Sequence, residues 1–566
     1  MPSPAAARNG WNPVLWFAPP FLVGLVLRLY GLSSQIPLDD EWHSLNFVLD
    51  KSFVGVLTTH GLGANCIPQN LINWILLHTV GWSELALALP SVLLGVLGLL
   101  IFPWLVSRLA DRTVALLFSW LLAISPGLIF YSRIARPYSM VLFFGFWSLL
   151  CLALWTREGR PRQLLAYALS GFAAIYFHLY AALPVGAAGL AVFISSIFPR
   201  GKGTGAPWIS PRALSGAGSL MLLLLVVFLG PAHWRNPWWS LALGQDRVTA
   251  QGLWDFLSLL AGTRFVLGKL LIAALAGYGL HLWLKKEFRI GLLFLSAWAA
   301  FFLLLAFATQ DGMHAGIQIA RYNIVLFPVA MLMVAAGLEA LFARLPSGLR
   351  IAAGILLIGG LVAGSPLWRT FDLPNNFMHH SAFQDSYAPF DESQSRLRLL
   401  TPMPQMPKSR IAPFYFNLAA AAPVRGLIEY PMYIGDPLNL HWYTQHFHRK
   451  PVAIGYVPDF PFPPLPSKND FIYQATPADY VFSRTRELGL EGKLHFRNLV
   501  PLTDVARLRR DFPGWVLIVH RDILQETLGI RNRAGLHPPE ILEASLIRTL
   551  GAPAFSDRQI VAWQIP

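Results

Sequence analysis

Apolar runs of 16 to 24 residues recur through the first two-thirds of the chain. Each is near the length that crosses about 30 Å of hydrocarbon as a helix. Eleven such runs are predicted as spans: residues 13–30, 84–107, 113–131, 137–155, 163–178, 181–198, 214–231, 265–284, 290–308, 322–343 and 351–366. The first is too long for a removed signal peptide and lacks a small-residue cleavage site, so it reads as a retained helix. The segment 67–81 (IPQNLINWILLHTVG) is apolar but short. It reads as a re-entrant or interfacial helix with Asn70 and Asn73 toward an aqueous site, or equally as an ordinary amphipathic surface helix.

From about residue 367 the pattern changes to short apolar stretches broken by proline: GLIEYP (426–431), PVAIGYV (451–457), DYVFS (479–483) and WVLIVH (515–520). These predict the strands of a small α/β domain, with a Pro-rich loop at 458–466. The expected architecture is a polytopic α-helical membrane protein of about 11 transmembrane helices. Its membrane part covers 1–366, with an outer loop at 31–83, and is followed by an extracytoplasmic α/β domain, 367–566.

Composition sharpens this picture. Hydrophobic residues make up 55% of the 566 and charged residues only 13%, with a mean hydropathy of +0.48. A soluble surface needs about 25% charged residues, which excludes a cytosolic enzyme, a disulfide-stapled secreted protein and a disordered chain. The net charge of +14 does not indicate a nucleic-acid partner, because residues 1–366 hold 23 basic and 12 acidic residues while 367–566 hold 21 and 18. Placing the N-terminus in the cytoplasm assigns 14 Lys and Arg to 51 inner-loop residues and 7 to 106 outer-loop residues. This is the positive-inside pattern, and an odd number of spans then puts the C-terminal domain outside the bacterial plasma (inner) membrane. Cys66 and Cys151 are the only cysteines, one in a loop and one in an apolar run, which rules out a cysteine-based metal site.

Only 12 acidic residues lie in the membrane part, and three are consecutive: Asp39, Asp40 and Glu41, just outside the first span. Adjacent carboxylates repel, which suits a general base or a metal ligand, although a solvated loop would look the same. Other polar outliers share that side. Arg133 and Arg136 lie in the turn YSRIARPY (131–138), His178 and Tyr180 in YFHLY (176–180), and Arg321 with Tyr322 opens the tenth run. Arginine near membrane depth costs about 2.5–3.5 kcal/mol at the bilayer centre and marks a pathway or a binding site. Its rigid fork matches phosphate oxygens, so the set points to an anionic ligand at the outer head-group level. His178 alone reads equally as a hydrogen-bonded helix-end residue. His441, His446 and His448 have a spacing that fits no common zinc pattern.

Residues 38 to 200 resemble the bacterial members of the GT-C superfamily, polytopic glycosyltransferases akin to protein O-mannosyltransferases and to the aminoarabinose transferase of lipid A. The resemblance rests on Asp40-Glu41, Gly81-Trp82-Ser83-Glu84, Leu89-Pro90-Ser91, Ser125-Pro126, Tyr131-Ser132-Arg133 and Ala135-Arg136-Pro137-Tyr138. It continues at His178 and at Arg321-Tyr322 with Pro328. The outer domain resembles those of bacterial relatives more loosely, through Glu429-Tyr430-Pro431, Tyr443, His446 or His448, Lys450-Pro451 and Gly455-Tyr456. The resemblance implies a polyprenyl-phosphate sugar donor, with Asp40 as base and Glu41 as its partner. It makes Arg133, Arg136 and Arg321 candidates to hold the donor phosphate, and Asp39, Tyr138, His178 and Tyr322 are expected with them on the substrate side. Two positions depart from the family pattern: Ala88 stands where many relatives have Arg, and Pro68-Gln69-Asn70 where a Pro-Leu-Tyr-like stretch is usual.

The expected reaction is an inverting transfer of a sugar from the lipid phosphate to a hydroxyl of a glycolipid, glycan or protein at the outer face of the membrane. It requires no cofactor, although adjacent carboxylates can hold Mg²⁺ or Mn²⁺. The chain lacks a P-loop, a dinucleotide fingerprint and a Gly-x-Ser-x-Gly elbow, so ATP-driven transport, redox chemistry and serine hydrolysis have no support. Two rivals stay open: a carrier or flippase for a lipid-linked sugar, and a non-catalytic lipid-binding protein. Carriers usually place charges at the bilayer midplane within repeated halves, and no repeat is visible here.

Overall fold

The computed structural model describes residues 13–30, 32, 41, 44, 47–48, 51–60, 66–80, 84–197, 210–235, 248–263, 265–307, 316–365, 412–418, 424–430, 432–433, 448, 450, 452–453, 499–500, 509, 512–521 and 539–566. Each of the eleven apolar runs meets helix. In chain order the helices are α1 (Pro13–Leu29), α2 (Phe53–Leu57), α3 (Ile67–Thr79), α4 (Glu84–Leu109), α5 (Arg112–Ile124), α6 (Pro126–Arg133), α7 (Tyr138–Glu158), α8 (Pro161–Phe177) and α9 (Ala182–Ile197). They continue as α10 (Pro211–Arg235), α11 (Ala250–Ala261), α12 (Val266–Lys286), α13 (Phe288–Phe307), α14 (Gly316–Tyr322), α15 (Leu326–Phe342) and α16 (Ser347–Ala363).

Among the described residues five helices are long and apolar enough to cross a membrane, or six if the bent pair α5–α6 counts as one span. Four further runs give shorter apolar stretches over their described residues: Trp16–Leu29, Phe288–Leu303, Leu326–Phe342 and Gly348–Ala363. Two predicted spans are also broken. The run 113–131 bends by 58° between α5 and α6. Pro126 has no N–H to donate to the Leu122 carbonyl, and the Ser125 side chain instead accepts from the Leu128 N–H at 3.4 Å. The tenth run is divided between α14 and α15 by a turn at Asn323–Val325.

α7 is the axis of the bundle, with 89% of its apolar window buried. By contrast α10 and α12 leave Leu222, Leu223, Val226, Leu267 and Leu270 exposed, as lipid-facing surfaces do. α12 and α15 cross in backbone contact. A Cβ at Gly279 would run into the Met333 carbonyl and one at Gly337 into the Leu275 carbonyl, whereas Gly277 on the same helix has nothing within 4 Å. Gly279→Ala is therefore expected to destabilise the protein by about 1–3 kcal/mol, and Gly277→Ala to leave it unchanged. Thermal unfolding of the two variants in detergent checks this, and equal melting temperatures would refute the close crossing.

Among the described residues, charged groups collect at helix ends in two sets. In one set Arg108 pairs with Glu158 at 2.6 Å, Arg160 with Glu158 at 3.2 Å and Arg157 with Glu287 at 3.6 Å. These residues all flank the loops expected to be cytoplasmic. The other set holds Arg133, Arg136, His178 and Arg321.

In the C-terminal part, α17 (Pro413–Leu418) precedes β1 (Leu427–Tyr430), β2 (Met432–Tyr433), β3 (Val452–Ala453), β4 (Leu499–Val500) and β5 (Val516–His520). α18 (Pro539–Leu550), β6 (Phe555–Ser556) and β7 (Ile560–Gln564) follow. The main sheet has the order β3-β1-β5-β7-β6, parallel through β3, β1 and β5 and antiparallel beyond. Leu542 and Leu546 of α18 close its core against Ile428, Leu517, Val519, Val561 and Trp563. Three of the four predicted strands are present, and the stretch 479–483 lies outside the described residues. The closing pair β6–β7 was not expected.

Inside this unit Glu429 is fully buried and meets His520 Nε2 at 2.6 Å and the Tyr415 hydroxyl at 2.8 Å. Burial and the Glu429 charge hold the Tyr415 phenol well above its ordinary range. His448, whose Nδ1 accepts the Lys450 N–H at 3.0 Å, is pushed down to about 4 by burial; the Glu429 charge opposes this and Lys450 adds to it. A histidine kept neutral in the fold stabilises it above the unfolded value of about 6.5. That contribution is lost as pH falls toward 4, by an amount on the order of 3 kcal/mol. Hydrogen exchange of the β5 amides in the intact protein is expected to lose protection between pH 7 and 4.5, and His448→Gln to flatten the loss.

Candidate functional site

Glu41 docks on the arginine turn. It is 3% exposed, and its Oε1 accepts the Ala135 N–H at 2.6 Å, between Arg133 and Arg136. A bond of that length from a carboxylate to a backbone donor is among the stronger ones a loop can make. Asp39 and Asp40 lie outside the described residues.

The Leu89-Pro90-Ser91 motif docks on the same turn. Ser91 Oγ donates to the Arg136 carbonyl at 3.4 Å, and Ser139 Oγ donates to the Ser91 carbonyl at 2.7 Å. Ala88, where an arginine is usual, packs instead in an apolar cluster with Leu32 and Val92.

Tyr138, His178, Tyr180, Arg321 and Tyr322 come together from three separate stretches. The Arg321 guanidinium lies 4.9 Å from the Tyr322 ring and 5.9 Å from the Tyr138 ring, and its Nη2 donates to the Tyr322 hydroxyl at 3.0 Å. The His178 ring sits 5.5 Å from Tyr322, 5.3 Å from Tyr180 and 6.2 Å from Tyr138. The charges of Arg321 and Arg136 both act on it. His178 also ends α8: its Nδ1 accepts the Tyr180 N–H at 3.4 Å as the chain turns into a short 3-10 segment, Leu179–Ala181. The helix-end reading of this histidine describes these contacts.

Arg133 behaves differently from the expectation that it holds a phosphate. It is 1% exposed, and its Nη1 donates to the carbonyls of Leu27 at 3.2 Å and Tyr30 at 2.7 Å, at the C-terminal end of α1. The guanidinium is occupied in holding a helix end.

Asn70 and Asn73 do not face water. They are 1% and 0% exposed and share a network in which Ser44 Oγ donates to Asn70 at 2.6 Å, Asn73 to Ser44 at 2.8 Å and Gln69 to Asn73 at 3.0 Å. This network ties the outer loop to α3. The charge of Arg136 reaches Cys66 at the start of that helix, which packs against α8. The apolar pattern of 67–81 does not reveal that its polar face is covered by protein.

Two cations and one helix escaped the sequence reading. Arg28, in the last turn of α1, is 2% exposed. Lys269, in the first turn of α12, is 5% exposed; its Nζ donates to Ser258 at 2.9 Å and sits 3.3 Å from the Trp254 ring. α11 lies within the predicted outer loop 232–264, packs against α14 and so supports Arg321. Thr249 as N-cap and Gly262 at the end of an amphipathic dodecamer were the signals for it. Among the described residues no group of three or more His, Cys, Asp or Glu side chains could hold a metal ion.

No family model matches the sequence, and no curated relative matches it. The fold itself has counterparts among solved structures. The crystal structure of ArnT from Cupriavidus metallidurans in the apo state aligns over 98% of this chain and 98% of its own, with a TM-score of 0.55 at 14% identity. The same protein bound to undecaprenyl phosphate aligns over 99% of both chains, with a TM-score of 0.53 at 13% identity. A looser likeness, TM-score 0.48 over 91% of this chain and 70% of the other at 12% identity, is to the oligosaccharyltransferase of Archaeoglobus fulgidus tethered with an acceptor peptide.

Proposed function

We propose that this chain is an inverting glycosyltransferase that moves a sugar from a polyprenyl-phosphate donor to an acceptor hydroxyl at the extracytoplasmic face of the membrane. One observation carries the reading: the Glu41 carboxylate is bonded to the turn that bears Arg136, at the same end of the bundle as the Arg321, His178 and tyrosine cluster. Acid and guanidinium groups from distant stretches of chain thus share one region. The undecaprenyl phosphate bound in the similar ArnT structure supports a polyprenyl-phosphate donor.

In the proposed step the acceptor oxygen attacks the anomeric carbon, its proton passes to Asp40, and the bond from that carbon to the phosphate oxygen breaks. The lipid phosphate leaves as a monoester and gains negative charge. Arg136 and Arg321 stabilise that charge in a water-poor pocket, where fixed donors act most strongly. Direct displacement with a single base inverts the anomeric centre. Glu41 and Arg133 position the acidic loop, while Asp39, Tyr138, His178 and Tyr322 line the substrate side. No step is routed through a metal at Asp39 or Asp40.

The test is transfer in reconstituted vesicles from a polyprenyl-phosphate sugar to envelope glycolipid, glycan and protein acceptors, followed by mass spectrometry, with Asp40→Asn as the deciding variant. Movement of the lipid-linked sugar across the bilayer without transfer would instead favour the carrier.

A further inference from the structure

The bent span contains a helix end that needs a partner. Pro126 removes the N–H that would close the Leu122 carbonyl in a continuous helix, and the chain turns by 58° there. Arg28 fills the gap from α1: its Nη2 donates to the Leu122 carbonyl at 3.2 Å and its Nη1 to those of Ala123 at 3.4 Å and Gly24 at 3.0 Å. The relation is reciprocal, because Arg133 at the end of α6 donates to the carbonyls of Leu27 and Tyr30 at the end of α1. Each arginine caps the C-terminal end of the helix that the other belongs to or abuts.

Two buried guanidiniums within reach of each other's charge are costly. The negative ends of the two helices offset the repulsion. A span also gains nothing from an arginine that merely faces lipid.

The clasp is the first part of a longer seam. The segment 28–41 is pinned to the segment 122–135 in order: Arg28 to Leu122 and Ala123, Tyr30 to Arg133, and Glu41 to Ala135. Asp39 and Asp40 fall between the last two pins in sequence. We propose that Arg28 is a positioning residue of the transfer site, which with Arg133 fixes the end of the first helix and so aligns Glu41 with the Arg136 turn. This inference rests on the glycosyltransferase reading for its catalytic consequence, and on the hydrogen bonds alone for its structural one.

The test uses the intact protein in lipid nanodiscs. Arg28→Met is expected to lower kcat by about 10²-fold, the cost of misplacing reacting groups by roughly 1 Å, with the KM for the lipid donor nearly unchanged. Arg28→Lys, which keeps one charged donor, is expected to recover part of that loss. Hydrogen exchange is expected to rise in 41–60 and 134–137 in Arg28→Met while 516–520 stays as in the wild type. Wild-type kcat with unaltered exchange would overturn the proposal, as would a loss confined to KM. Should Arg28→Met not accumulate, Arg28→Lys carries the same comparison, with a reduced kcat at constant KM expected. A wild type that transfers no sugar from any polyprenyl phosphate would sink the glycosyltransferase reading, and raised exchange in Arg28→Met would then still uphold the clasp.

Discussion

Replacing Asp40 with Asn is expected to abolish sugar transfer, by about 10²–10⁴-fold in kcat, while the lipid donor remains bound. The substitution keeps the size of the side chain and removes its ability to take a proton. Glu41, the neighbouring carboxylate, does not substitute for it. It is buried, and one of its oxygens accepts the Ala135 N–H at 2.6 Å, so moving it to the acceptor would undock the loop. In the proposed mechanism this leaves Asp40 as the base of the pair. Donor affinity should be kept because the proposed mechanism places the phosphate on guanidinium groups of other elements. Transfer by Asp40→Asn at the wild-type rate would falsify the base assignment, and with it the direct-displacement mechanism.

Arg321→Met should produce the second large effect, a loss of about 10²–10³-fold in kcat accompanied by weaker donor binding. The guanidinium belongs to the short helix α14, ahead of the turn that leads into α15, and is framed by the rings of Tyr322 and Tyr138. A charge held in such a frame needs no reorganisation when the leaving phosphate becomes more negative. Arg321→Lys should recover only part of the rate, since an ammonium supplies a point charge without the planar fork. Melting temperatures of the two variants separate chemistry from folding. If Arg321→Met lost stability in proportion to activity, the residue would belong to the aromatic packing of Tyr138, Tyr180 and Tyr322 and not to phosphate recognition.

The two expectations differ in how visible their residues are in the chain. Asp39-Asp40-Glu41 stands out because an acidic triplet is rare among apolar runs. Arg136, Arg321 and Tyr322 stand out because polar residues at the ends of apolar runs are costly unless used. Arg28 sits in a run otherwise free of charge, and two of its three carbonyl partners are 94 and 95 residues away, which no spacing rule connects. Asn70 and Asn73 look like the polar face of a surface helix until Ser44 and Gln69 are seen to enclose them.

Periodicity and charge are local quantities, and they carried everything that depends on local physics. The apolar runs, the sided distribution of Lys and Arg, the change to strand-length segments after 367 and the set of unusual polar residues were all readable one window at a time. Bends, pairings and docking depend on what lies opposite each group. Pro126 announces that one helical bond is missing, but the partner that replaces it, the seam it starts and the burial of Glu41 against Ala135 arise from contacts across about a hundred residues. Arg133 passed from expected phosphate ligand to helix clamp for the same reason: a guanidinium has the same charge in either role, and only the position of the Leu27 and Tyr30 carbonyls separates them.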